Sequence, residues 1–279
     1  MRFGRLAVLL FWIFGLAGAA RAEVLVLVHG YLASPINWRT SGVAAALAAE
    51  GWRDAGHLAL GPNGVMLPPP VTGRRFHTID LPNEAPIAVQ AELISLHVAA
   101  LTARDKDEKI ILVGHSAGGV AARMAMVMAR NPAIKGLVTI ASPHLGSGLA
   151  SKASVLSNSP VGWAAPLFGA GTLARSGALY RDLGEESPWN LVGWLNRQVH
   201  PKARYVSVIR SADGSAVSGD RVSQAWRQDL RMVPALRGLA EGVVTPAGHG
   251  LVPADGKLVS DIVNSFGLAL DVAAGPAVK

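Results

Sequence analysis

The sequence predicts an α/β fold, with a mostly parallel sheet of about six strands, helices on both faces and a helical cap insertion. Three observations carry this reading. Short continuous apolar runs recur along the chain, such as "VLVLVHG" (24–30) and "KIILVGHS" (109–116). Such runs are what strands buried on both faces look like. Segments with helical spacing of apolar residues alternate with them, the pattern of parallel βαβ units. Between about 145 and 200 the alternation lapses. That stretch is rich in Gly, Ser and Pro, yet it holds Trp163, Leu167, Phe168, Trp189, Leu191 and Trp194. A compact domain rarely carries so long a bare connection, so the stretch reads as a cap over the strand ends.

Taken in order, residues 1–22 read as an export signal. Arg2 and Arg5 form a basic start, Leu6 to Ala20 is almost wholly apolar, and Ala20-Arg21-Ala22 is an A-x-A cleavage site. The apolar run is shorter than a membrane span requires. The expectation is an exported protein, periplasmic or extracellular, whose residues 23–279 form one domain. Its first strand is "EVLVLVHG" (23–30). A short helix follows in "SGVAAALAAEGW" (41–52), with Thr40 or Ser41 as its N-cap and Gly51 near its end. A Pro- and Gly-rich loop is expected over 61–73, then a strand in "RFHTIDLP" (75–82) and a helix over 84–103. The strand "KIILVGHS" leads into a helix over 117–130, stopped by Asn131-Pro132. "IKGLVTIASP" (134–143), "RYVSVI" (204–209) and "GVVTP" (242–246) complete the strands, and a helix over 254–271 closes the chain.

Composition narrows the chemistry. Half of the 279 residues are hydrophobic and 16% are charged, enough apolar material for a large core and too little charge for disorder. The absence of cysteine excludes disulfides, thiolate catalysis and cysteine–metal sites. Without Arg2, Arg5 and Arg21, the balance of 26 basic against 19 acidic residues falls to 23 against 19. This mild excess contains no dense basic tract. It suits ordinary solubility, or loose peripheral contact with anionic lipid surfaces, better than nucleic-acid binding. No dinucleotide, P-loop or zinc pattern is present, so neither cofactor nor metal is expected.

The chemistry-bearing motif is Gly114-His115-Ser116-Ala117-Gly118, a G-x-S-x-G. In a glycine-rich chain it says little alone. Here it sits between a buried strand and a helix, the context of the nucleophile elbow of α/β-hydrolases. Glycines at 114 and 118 let the turn pass close to neighbouring backbone, and the helix start aims N–H groups at the reaction centre. A serine hydroxyl needs a base to take its proton and donors for the oxyanion that forms. The amide of Ala117 is one donor. The amide of Tyr31, in "VLVHGYLASPINW" (26–38), is proposed as the second, with His29 bracing that loop. The base must come late, at a strand end. His249 in "VVTPAGHGLVP" (243–253) answers this; His200 lies before its strand and His144 follows an earlier one, while His57, His77 and His97 read as surface or core residues and His115 as packing within the elbow. The acid should follow strand 204–209. Asp213 lies four positions beyond it, and Asp220, in "SGDRVS" (218–223), is the alternative that needs a longer excursion. The acid has to reach Nδ1 of the histidine, which favours Asp213.

The pieces "VLVHGY", "GHSAGG", "RYVSVIRSAD" and "AGH" together resemble the lipase/esterase branch of the α/β-hydrolases, in particular the small bacterial triacylglycerol lipases. The resemblance implies a catalytic Ser116, Asp213 and His249 with Tyr31 and Ala117 as oxyanion donors, and strengthens Asp213 over Asp220. "TIASPHLGS" (139–147) is similar to a stretch lining the active-site floor of such enzymes. The insertion at 145–200 is longer than in minimal members. The function expected is hydrolysis of carboxylic esters, small-molecule or lipid, with hydrophobic acyl groups. An acyltransferase or polyester depolymerase on the same triad, and a binding protein of hydrolase fold, are the alternatives.

Overall fold

The computed structural model describes residues 23–157, 171–213, 218–220 and 222–267. The expected export signal, Trp163, Leu167 and Phe168 lie outside them. Eight strands form one sheet: β1 (Glu23–Val28), β2 (Arg53–Gly61), β3 (Gly64–Met66), β4 (Arg75–Ile79), β5 (Lys109–His115), β6 (Ile134–Ile140), β7 (Arg204–Arg210) and β8 (Ala240–Thr245). Their order is β3-β2-β4-β1-β5-β6-β7-β8. Every pairing is parallel except β2 with β3.

Two strands exceed the six expected. β2 and β3 lie partly within the stretch read as a loop. They form an edge hairpin that turns at Pro62-Asn63 and exposes most of its residues; only Ala55 and Leu58 of β2 are buried. An edge strand with one wet face has no continuous apolar run to betray it. Its register against β4 also slips between Asp54 and His57, where Gly56 takes a left-handed φ of 88°.

The central strands alternate cleanly. Val24, Val26 and Val28 of β1 face one core, with Ile110 and Leu112 of β5 beside them. Leu25 and Leu27 face the other, with Ile111 and Val113. The first core is covered by α3 (Ile87–Arg104) and α4 (Ala117–Ala129), the second by α2 (Val43–Ala49) and α9 (Ala254–Ser265). Each fully buried Val, Leu or Ile contributes about 1.5–3 kcal/mol relative to exposure, so both faces must stay covered. A four-residue α1 (Asn37–Thr40) precedes α2, whose N-cap is the left-handed Gly42 rather than Thr40 or Ser41. Pro253 packs where a side chain at Gly42 would sit.

Over the strand ends lie α5 (Gly148–Ser157), α6 (Gly171–Arg175), α7 (Gly177–Asp182) and α8 (Leu191–Leu195). Side chains fasten this layer to the α/β body. Asp182 accepts the Ile87 N–H at 2.9 Å, completing the start of α3. Arg175 pairs with Glu84, and the hydroxyls of Tyr31 and Tyr180 meet.

Burial holds six histidines, His29, His77, His97, His115, His144 and His200, below the ordinary imidazole value, and His77, His115 and His200 at about 4. The unfolded chain takes up these protons near pH 6.5, the folded chain only at lower pH. Their contribution to stability is therefore complete above 6.5 and lost as pH falls towards 4. The denaturant midpoint should stay level from pH 8 to 7. Below 6.5 it should fall progressively, as the unfolded chain takes up protons that the folded chain refuses, and a level midpoint down to pH 4.5 contradicts the assignment.

Candidate active site

At β1 the chain changes direction across the sheet, since β4 pairs on one side of it and β5 on the other. The crevice beyond the carboxyl ends of strands at such a switch is where α/β sheets place ligands. Here it receives the loops after β1 and β5, and so His29-Gly30-Tyr31 and Ser116.

Ser116 has φ 52° and ψ −129°, a strained backbone for a residue with a side chain. Its N–H donates to the Ile140 carbonyl at 2.8 Å, and its carbonyl accepts from Gly119 at 3.0 Å. No room exists for larger neighbours. A Cβ at Gly114 would strike the Gly119 backbone, one at Gly118 the His29 carbonyl, and one at Gly119 the Ser142 hydroxyl. A Cβ at Gly30 would fall on that of Ser116 itself. The glycines therefore join the ends of β1, β5 and β6 at one point.

His249 hangs from the loop after β8. Its Nε2 stands 2.9 Å from Ser116 Oγ, and its Nδ1 lies 2.7 Å from a carboxylate oxygen. With that carboxylate as acceptor, Nδ1 carries the proton and Nε2 is free to accept from the serine. The sequence suggested only packing for His115. In the structure its Nε2 donates to the His249 carbonyl at 2.8 Å, and the two rings lie 5.3 Å apart. Burial keeps His115 at about 4, hence neutral. Nothing in the spacing marked this tether.

The carboxylate is that of Asp220, not the favoured Asp213. Asp213 is exposed and accepts from Ser211 Oγ at 3.0 Å and from Ser218 Oγ. Asp220 is buried. One of its oxygens meets His249, and the other accepts the N–H groups of Val222 and Ser223 at 3.0 and 2.9 Å. Burial pushes its carboxyl up, but the bonds from His249 and the two amides outweigh this and hold it below the usual carboxylate range. The excursion that counted against Asp220 closes on itself. Ala212 N–H bonds the Gly219 carbonyl at 3.0 Å, and Gly219 turns with φ 67°. Asp220 thus returns close to the end of β7 despite its distance along the chain.

Ala117 is the buried first residue of α4, whose leading amides have no partners within the helix. Tyr31 follows Gly30, which rests against Ser116. Its ring meets Tyr180 edge-on, with centroids 5.5 Å apart. His29 braces this loop, donating from Nδ1 to the Gly30 carbonyl at 3.1 Å and accepting the Leu81 N–H at Nε2. His144 is buried against Thr139 Oγ1, and His200 bonds the Gln198 carbonyl.

Tyr31, Ser116 and Ala117 open onto a cavity of about 290 Å³. The cap supplies Leu149, Ala150, Ala153, Leu179, Tyr180 and Leu183, while Pro143 and Ser147 come from "TIASPHLGS". Its walls are mainly apolar. Among the described residues, no three His, Asp or Glu side chains are placed to hold a metal ion.

Serine after β5, acid after β7 and histidine after β8, along a mostly parallel sheet, is the α/β-hydrolase layout, and the chain has that fold. Residues 71–158 match the family model of the PGAP1-like alpha/beta domain. No curated protein sequence matches the chain. Among solved structures, the lin2722 gene product of Listeria innocua aligns with a TM-score of 0.58 at 14% identity, over 91% of this chain and 96% of that one. Lipase BlEst2 of Bacillus licheniformis in its mature form aligns at 0.53 and 17% identity, over 88% and 92%. Of its propeptide form, the chain spans 53%. The metagenomic carboxyl esterase MGS0156 aligns at 0.55 and 17%, over 94% and 79%. At such identities the likeness is one of fold.

The elbow yields a stability test. Gly118→Ala drives a methyl group into the His29 carbonyl and should cost about 1–3 kcal/mol, as overpacking does. Thermal unfolding would show it, and an unchanged Tm would mean that the elbow is looser than described.

Proposed function

We propose that this chain is an exported serine hydrolase that cleaves carboxylic esters with hydrophobic acyl groups. The observation that carries the reading is the hydrogen-bonded line Asp220–His249–Ser116, with links of 2.7 and 2.9 Å, ending at the mouth of an apolar cavity. The lipase and esterase names of two structural neighbours agree with it. Export rests on residues 1–22. The mild basic excess suits loose contact with lipid surfaces, where such esters gather.

In this mechanism Ser116 Oγ attacks the acyl carbonyl while His249 Nε2 takes its proton. Asp220 keeps the imidazole in the right tautomer and stabilises the imidazolium that forms. The amides of Tyr31 and Ala117 receive the developing oxyanion. His249 then hands the proton to the departing alcohol, and water, activated by the same nitrogen, releases the acid from Ser116. The acyl chain lies along Leu149, Ala150 and Leu179 during these steps.

Wild-type protein should take up a fluorophosphonate probe and turn over a p-nitrophenyl ester series from acetate to palmitate. Ser116→Ala should do neither, and equal turnover by the two proteins would overturn the proposal. Asp220→Asn should lower kcat by roughly 10⁴, the loss seen when a triad histidine takes the wrong tautomer. Asp213→Asn should keep wild-type kcat to within about threefold, since an exposed change away from the reacting groups has little effect. The opposite ranking would restore Asp213 as the acid.

A further inference from the structure

A second cavity, of about 380 Å³, adjoins the first and shares Leu149 and Val222 with it. Helix α5 stands between them. Ala150 and Ala153 look onto the apolar chamber, while Gly148 and Lys152, also one turn apart, look onto the other. The second chamber has different chemistry. Lys152 is exposed within it, and Arg227 lines it too. Arg227 is already engaged by the Glu185 carboxylate at 2.8 Å, by the Leu145 carbonyl and by Gln224. Glu185, the one acidic side chain lining the chamber, is thus taken by Arg227, and among the described residues no carboxylate pairs with Lys152. Ser223 also lines this chamber. It is only 5% exposed, and its Oγ has no hydrogen-bond partner. A buried hydroxyl without a partner is costly, and turning the side chain towards a ligand oxygen in the chamber would satisfy it. At the rim, Ser218 is turned onto the Asp213 carboxylate.

We infer that this chamber is the subsite for the alcohol portion of the ester, and that this portion carries an anionic group, a phosphate or a carboxylate, received by Lys152 and Ser223. The inference rests on the ester-hydrolase reading above and adds the substrate's other half. An apolar acyl chain and a charged alcohol would lie on opposite sides of α5, with the ester carbonyl at Ser116. One cation and one buried hydroxyl in a part-enclosed chamber read an anion well, because a charge-assisted bond is stronger there than in open water.

The test compares octanoyl esters of glycerol, glycerol 3-phosphate and lactic acid as monomers on the full chain. The phosphate ester should exceed the neutral glycerol ester in kcat/KM by about tenfold, and added salt should erode the difference. Lys152→Gln should bring the ratio near one, Ser223→Ala should reduce it, and Lys152→Arg should keep it. Preference for the phosphate ester alone assigns the subsite to phosphates, and preference for the lactate ester as well assigns it to anions generally; either supports the inference. Equal kcat/KM for all three esters in the wild type, or a ratio that Lys152→Gln leaves unmoved, overturns it. If no ester is cleaved, the hydrolase reading fails, and calorimetric titration with sn-glycerol 3-phosphate decides the subsite separately. Binding that weakens about tenfold in Lys152→Gln upholds it, and absence of binding refutes it.

Discussion

Where Gly118 lies against the carbonyl of His29, two loops from different strands are in contact with no side chain between them. Both the strained conformation of Ser116 and the position of the Gly30–Tyr31 peptide are set there. The elbow cannot relax without withdrawing α4 from the sheet, and α4 is buried along most of its length. The packing energy of a large core thus maintains a local backbone strain of order 1–3 kcal/mol. That strain is what lifts the serine hydroxyl towards His249.

From this fixed point the remaining groups are added by different means. His249 stands on a loop with glycine on either side, and its position is secured from three directions: by Ser116, by Asp220, and by His115 through its own carbonyl. Asp220 is secured by the amides of its own turn. None of the hydrogen bonds just named comes from the cap. The cap instead closes the cavity, tied to the body by Tyr180, Arg175 and Asp182. The hydrogen-bonded line and most of the cavity wall therefore sit on separate parts of the fold.

The legible parts of the sequence were those governed by local rules. Strands buried on both faces announce themselves by unbroken apolar runs, so β1 and β5 could be read directly, and β4, β6 and β7 by shorter apolar stretches interrupted by polar residues. The elbow was legible because its small residues are steric necessities, and His249 because chain order leaves few other histidines at a strand end. What was misread depended on contacts distant in sequence or on half-exposed surface. The β2–β3 hairpin lacks an apolar run because one of its faces is wet. Gly42, not Thr40 or Ser41, caps α2 because Pro253 packs against it from the far end of the chain. Asp213 looked better placed than Asp220 because proximity along the chain stood in for proximity in space, and one backbone bond, Ala212 to Gly219, undoes that equivalence.

That bond has a wider meaning. It pinches the segment after β7 at its neck, so the station of Asp220 is set by the bond between Ala212 and Gly219 and not by the number of residues between them. The length of chain between those two residues could therefore change while Asp220 keeps its station beside His249. Since Ser218, just before that neck closes, lines the polar chamber, such a change would alter the chamber's wall and leave the Asp220–His249 pair in place.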